Sequence, residues 1–295
     1  MPPAETPPRG FLLPTLFDTD TRLHGRWDYL AEAWETGVLP TAPLPRIAFL
    51  PTPDKATRHM LTGCLDVIPR HGGGWQGWSG AENFRFFLEW ILYGLHHGGQ
   101  KEPPREPAGG EGASDRLHRV LDLALWQSNP HDYLGDLLAE NAYGKRQGFF
   151  ATPHTIAHLM TCMMTDKDAD TRVLTVCDPC VGTGRLLLHA SNYSMRLYGQ
   201  DIDALMCLAT LVNGYLFAPW LVRPLPFLDD AHYAPGGSAT MSEAMTVQAP
   251  PHIAAVLTGS EHDTAEQWRF EPIKKRRKSS VPEPALRQGA FRLDL

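Results

Sequence analysis

The chain has 295 residues, 43% of them hydrophobic and 20% charged, which is enough apolar mass to bury at least one core. Its five cysteines, an odd number, argue against a secreted disulfide framework, and no stretch reaches the ~18 uninterrupted apolar residues of a membrane span. The formal charge of −6 hides an asymmetry: between Arg269 and Arg292 eight Lys or Arg face two Glu, a local +6, so the remainder carries −12.

The start, MPPAETPPRGFLLP, has Pro and Glu where a signal peptide needs a basic region followed by an apolar run. The expectation is a soluble, cytoplasmic protein with no membrane partner, whose residues 1–20 form a disordered Pro-rich start. Residues 21–145 read as a mainly helical region. Its clearest helix lies in WSGAENFRFFLEWILYGLHHGG: Ser79 and Glu82 make a capping box, Phe84, Phe87, Leu88, Ile91 and Leu95 recur at helical spacing, and Gly98-Gly99 stops it. QKEPPREPAGGEGA, 100–113, has the composition of a flexible linker. Two further amphipathic patterns follow, Leu117/Val120/Leu121/Ala124/Leu125 and Leu134/Leu137/Leu138.

The pattern changes over residues 146–258. Thr152 reads as an N-cap with Pro153 at the first helical position, and Ile156, Leu159, Met160 and Met163 as the core face of that helix. RVLTVC predicts a buried strand, Thr183 starts a helix through Ala190, RLYGQDI predicts a second strand, and Asp203 caps a helix over 204–216. Alternation at this pitch is the mark of a parallel α/β sheet, to which AMTVQ, 244–248, adds another strand. Residues 259–295 read as a basic, largely irregular tail.

One stretch, VCDPCVGTGRLLL, holds a Cys-x-x-Cys pair and a Gly-x-Gly turn together. The pair supplies two metal ligands where a structural zinc needs four, and Cys162 and Cys207 stand isolated, so no metal is expected. His154 and His158, four apart on a helix, lack a third ligand. A thioredoxin-like pair would open a helix directly, but Gly182-Thr183-Gly184 intervenes. Cys177 then reads as strand core and Cys180 as a turn residue. The glycines fit a ligand approaching bare backbone at the carboxyl end of the first strand, and Asp201, about twenty residues on, fits a carboxylate accepting both hydroxyls of a ribose. A dinucleotide site would want a third glycine where Leu187 stands, and Asp178 would repel a phosphate. An acid there suits a cationic ligand, which points to S-adenosylmethionine rather than NAD.

GFFATP (148–153), DPCVGTGRLLL (178–188) and YGQDID (198–203), in this order and spacing, resemble the adenine-specific DNA methyltransferases of the N-6 DNA methylase type, notably the modification subunits of type I restriction systems. HDYLGDLLAENAYGKRQGFF looks like the family's helical lead-in, and the resemblance covers about residues 131–257. It implies a Rossmann-like methyltransferase sheet, cut short at its end, behind a helical N-terminal region. It also implies S-adenosylmethionine as cofactor, double-stranded DNA with an adenine target as partner, a restriction-modification partner subunit, and a bacterial or mobile-element origin. Carried over by position, Phe150, Thr152 and Pro153 line the methionine end of the cofactor, Asp178, Gly182 and Gly184 form its loop, and Asp201 holds its ribose. Asp229 or Asp230, in FLDDA, reaches the adenine edge. Ala151 stands where an aromatic is usual and Val181 where a Gly is common; neither change removes a ligand group.

The family's catalytic signature is (Asn/Asp)-Pro-Pro-(Phe/Tyr), and the match here is Ala249-Pro250-Pro251-His252. Ala249 cannot accept the hydrogen bond by which the family's Asn favours a pyramidal, attacking N6, and His252 replaces the aromatic that stacks on the flipped base. Two readings therefore stand side by side: an adenine-specific DNA methyltransferase, and a catalytically inactive relative that binds DNA or a restriction-modification or defence partner in a regulatory role. Lys274, Lys275, Arg276, Arg277 and Lys278 read either as a phosphate-binding arm or as a solvated tail.

Overall fold

The computed structural model describes residues 7–70, 79–140, 149–165 and 170–229. The first part is helical: α1 (Leu13–Leu23), α2 (Arg26–Thr36), α3 (Lys55–Asp66), α4 (Ser79–Gly94), α5 (Ala113–Val120), α6 (Leu123–Ser128) and α7 (Tyr133–Glu140). Capping explains several starts: Asp54 accepts from the Thr57 N–H at 2.9 Å to open α3, and Asp122 accepts from the Leu125 N–H at 2.9 Å to open α6. Phe84, Phe87, Leu88, Ile91 and Leu95 are all buried, as their spacing requires. The α4 helix stops at Gly94 rather than at Gly98-Gly99. Residues Phe11 and Leu12 lie against Gly94 where a Cβ would stand, and the Leu12 N–H donates to the Gly94 carbonyl at 2.8 Å. The capping box is not settled, because the side chain of Ser79 lies outside the described residues.

Two stretches whose composition suggests disorder are fixed in place. From Arg9 onward the Pro-rich start is pinned by backbone and side chain: the Gly10 N–H donates to the Tyr93 carbonyl at 3.0 Å, and Arg9 Nε to the Gln100 carbonyl at 3.0 Å. The 100–113 stretch is an ordered loop through Gly112, with Ala113 already the first residue of α5. Glu106 accepts from the N–H groups of Gly112 and Ser114, and Arg116 donates to the carbonyls of Val67 and Ile68 at 2.6 and 2.7 Å.

The second part carries α8 (His154–Met164), a 3₁₀ turn over Thr171–Val173, β1 (Thr175–Asp178), α9 (Arg185–Ala190), β2 (Arg196–Gly199), α10 (Ala204–Phe217), α11 (Pro219–Val222) and α12 (Pro226–Asp229). The strands β1 and β2 pair in parallel, with Thr175 opposite Arg196 and Asp178 opposite Gly199. Among the described residues the sheet is these two strands, joined through α9 as one βαβ unit. Strand β1 is shorter than RVLTVC because Asp170 caps the 3₁₀ turn through the Arg172 N–H. Its Cys177 is exposed rather than core. Asp203 caps α10 as its sequence requires, accepting from the Leu205 N–H at 2.9 Å. Nearly every residue of α10 is buried, which makes it the central helix, packed between α4 and the βαβ unit.

The expectation for α8 is reversed. Ile156, Leu159, Met160 and Met163 are exposed, Met163 at 78%, while His154, Ala157 and Thr161 are buried. The reason is that α8 lies against α9, where a polar cluster offers His154 partners that the apolar face lacks. Its cap is shifted by one residue as well: Pro153 is the N-cap, and the Thr152 side chain makes no capping bond.

Helical and α/β parts share one apolar cluster that runs from Leu16 and Trp90 through Leu187 and Leu188 to Phe217 and Trp220. A buried arginine joins them. Arg26, at the start of α2, donates to Ser191 Oγ at 2.7 Å, to the Pro45 carbonyl at 3.1 Å, and to Asn192 Oδ1 and the Phe217 carbonyl, with its guanidinium 4.9 Å from the Trp220 ring centre. The sequence division near residue 145 is thus not a division of the core.

Candidate functional site

The site grows from the end of β1. After Asp178 the chain turns through Pro179–Gly184 before α9 begins at Arg185, two residues later than Thr183. Gly182 and Gly184 have φ of 55° and 88°, the left-handed region that favours glycine. Space demands glycine too: a Cβ on Gly182 would lie 2.9 Å from Phe149, and one on Gly184 3.0 Å from Thr210. The turn is tied down by Thr210 Oγ1 donating to the Gly182 carbonyl at 2.9 Å, and by the Gly182 N–H donating to Asp201 Oδ2 at 2.9 Å.

These groups border a cleft of about 370 Å³ between the loop 149–152, the turn 178–183 and the start of α10. Phe150, Thr152, Asp178, Gly182 and Asp201 line it. Pro153 and Gly184 do not. They stand just behind it, at the cap of α8 and of α9. The Asp229 side chain, Asp230, Ala249, Pro250, Pro251, His252 and Lys274 to Lys278 lie outside the described residues, as does the AMTVQ strand.

Two carboxylates set the electrostatics. Burial raises the pKa of Asp178 above the ordinary carboxylate value, and the neighbouring Asp201 charge raises it further. Asp178 Oδ1 accepts from the Cys180 N–H at 3.1 Å, and Asp201 accepts from Gly182 through Oδ2 and from Asp203 through Oδ1. Each oxygen has further lone-pair capacity facing the cleft. Arg185 also borders the cleft, but its guanidinium is spent on Asp132, Asp136 and the Thr152 carbonyl, and Asp178, Asp201 and Asp203 line the mouth together. Such a mouth repels phosphate and favours a ligand with positive charge and hydroxyl donors.

Apolar groups complete it. Phe150 is 90% exposed and Ile202 is fully exposed, and with Met206 they line the same cleft. Large apolar side chains held in water beside a polar pocket mark a ligand groove, here one suited to a flat ring. Ile202 was legible only as the neighbour of Asp201. Met206 left no sequence signal, being one apolar residue on a helix that is apolar all round.

Behind the cleft, His154 Nδ1 lies 3.0 Å from His189 Nε2, and the His131 and His154 rings stack 4.2 Å apart. Burial presses His154 down to about 2 and His189 to about 4, so both are neutral in the fold. Among the described residues no set of three His, Cys, Asp or Glu is placed to hold a metal ion.

Gly135, on α7, packs against Asp132 and Thr183 behind the cleft. A Cβ there would run into Asp132 Oδ2 and stand 2.7 Å from Thr183 Oγ1. On an open helix Gly→Ala stabilises by up to about 1 kcal/mol. Gly135→Ala is expected to do the opposite and destabilise by ~1–3 kcal/mol through overpacking. A lower urea midpoint at unchanged slope checks it, and a raised midpoint would sink it.

Residues 131–276 match the family model described as N-6 DNA Methylase. No curated protein and no solved structure matches the chain.

Proposed function

We propose, for a chain whose residues 131–276 belong to the N-6 DNA methylase family, that the cleft beside Gly182 seats S-adenosylmethionine and that the partner is double-stranded DNA with adenine as target. The observation that carries this reading is the pairing of Asp178 and Asp201 in one cleft with Phe150 and Ile202 at its mouth. The donor set fits the cofactor. A carboxylate at Asp178 suits an ammonium group, Asp201 keeps acceptor capacity for two ribose hydroxyls, and the apolar pair suits the faces of a purine. When bound, the cofactor supplies an electrophilic methyl group. The chain's own part is to hold the ribose at Asp201, to neutralise positive charge at Asp178 and to keep water from the ring faces. The finer assignments belong to the same proposal: Thr152 and Pro153 flanking the methionine end, a cytoplasmic setting, a restriction-modification partner, and Lys274 to Lys278 as a phosphate-binding arm whose contribution weakens with salt.

Calorimetric titration tests the cofactor. The wild type is expected to bind S-adenosylmethionine, and Asp201→Ala to weaken binding by ~10–100-fold, the worth of hydrogen bonds to a charged acceptor. No binding by the folded wild type would sink the reading. A second reading, a cofactor-binding relative without turnover, is favoured by the resemblance, which sets Ala249 where the family has its catalytic Asn.

A further inference from the structure

We propose that Asp132 and Arg185 are positioning residues, a buried clamp that sets the separation of the two loops walling the cleft, 149–152 and 178–183. The proposal rests on the reading of this cleft as the cofactor seat, but its geometry does not.

Arg185 is the first residue of α9, directly after the left-handed Gly184, and its side chain turns back into the protein. It makes contacts in three directions. Nε donates to Asp132 Oδ2 at 3.0 Å, Nη1 to the Thr152 carbonyl at 3.0 Å, and Nη2 to Asp136 Oδ1 at 2.6 Å and to the Asp132 carbonyl at 3.1 Å. The Thr152 bond reaches one wall of the cleft. The other wall is reached from Asp132, whose Oδ2 accepts from Thr183 Oγ1 at 2.6 Å.

Asp132 is fully buried and its acceptor capacity is used up. Its Oδ1 takes the Gly135 N–H at 2.9 Å and Asn213 Nδ2 at 2.8 Å, and the same Asn213 nitrogen donates to the Thr183 carbonyl at 2.8 Å. A single carboxylate thereby holds the cofactor turn, the first turn of α7 and the middle of α10. Burial works against the Arg185 charge, but the Asp132 and Asp136 carboxylates more than offset it. A buried pair of this kind is worth more as a fixed geometry than as net stability. Planar guanidinium geometry matters: three directions at fixed angles cannot be met by the point charge of a lysine.

The clamp ties α7, part of the helical lead-in, to both loops that border the cleft. It also explains why Gly135 has to be bare, since any Cβ there displaces the Asp132 carboxylate.

The test compares Arg185→Lys with Leu92→Val, a buried substitution on α4 remote from the cleft. Both are measured in the full chain at a temperature where each is folded. Arg185→Lys is expected to weaken S-adenosylmethionine binding about tenfold or more, the equivalent of one lost charge-assisted bond, while Leu92→Val leaves it unchanged. It is also expected to speed hydrogen exchange at the Val181, Gly182 and Gly184 amides of the free protein, with the α4 amides Leu88 to Leu92 unaffected. Equal affinity in the two variants, or unchanged exchange at 181–184, overturns the clamp. Should the lysine variant fail to fold, Thr183→Val, which severs only the Asp132 arm, is judged by the same two readouts. If the wild type binds no S-adenosylmethionine, the functional reading falls, and the exchange measurement alone decides the clamp.

Discussion

Acidification from pH 7 to pH 5 is expected to remove on the order of 4 kcal/mol of folding stability. Three buried histidines drive the loss. Burial, with the Arg223 and Arg9 charges, lowers His97 to about 4; burial, then the His158 and Arg185 charges, lowers His189 to about 4; and burial, then Arg185, lowers His154 to about 2. In the unfolded chain each takes up a proton near pH 6.5, whereas the fold refuses it. Their contribution is therefore complete above 6.5 and is lost as pH falls toward 4, at ~2 kcal/mol per histidine by pH 5.

Asp20 works in the opposite sense. Burial raises it to about 6, and its Oδ1 has no hydrogen-bond partner among the described residues, so the fold gains a proton there between pH 6 and 4 and recovers ~1 kcal/mol. Urea unfolding across pH 7 to 5 measures the net slope, and His189→Asn is expected to flatten it by about one proton. A flat profile in the wild type would overturn the account. Because His154, the first residue of α8, accepts from the Asp132 N–H and lies against His189 on α9, acid is expected to loosen the packing of α8 on α9 before the helices around Trp90.

The parts of the fold legible in the sequence are those whose causes are local. Gly182 and Gly184 announce a left-handed turn after an apolar strand, Asp203 announces a helix start, and the Phe84-to-Leu95 spacing announces a buried face. The missed parts depend on partners far along the chain. A loop rich in Pro, Gly and Glu has the same composition whether it is free or pinned, and what pins 100–112 is Arg116 reaching Val67 and Ile68. Periodicity on α8 gives an apolar face but not which face meets α9, and there the polar cluster around Asp132 and Arg185 decided the orientation. The division near residue 145 follows a real change of pattern, yet Arg26 and Asp132 each bond across it. Of the site, the acids and glycines carried a motif. Ile202, Arg185 and Gly135 had no signal beyond standing next to residues that did.

Ala249→Asn is expected to raise methyl transfer to adenine-containing DNA by on the order of 10²–10³, the effect of restoring one preorganised hydrogen-bonding group. Adenine's exocyclic nitrogen is a weak nucleophile because its lone pair is delocalised into the ring. In the family's signature, as the resemblance implies, the Asn amide carbonyl accepts one of its N–H bonds and the following Pro carbonyl the other, which favours the pyramidal form that attacks. The methyl side chain of Ala249 accepts nothing. His252→Tyr in the same background is expected to add base stacking worth ~1–3 kcal/mol. Tritiated-methyl transfer to duplex DNA is the measurement, with Asp178→Ala as the control that removes cofactor-dependent turnover. If the wild type already transfers methyl groups and Asp178→Ala abolishes this, the inactive-relative reading is refuted. If S-adenosylmethionine binds but Ala249→Asn brings no turnover, the defect extends beyond one amide. Binding without transfer is then the site's chemistry.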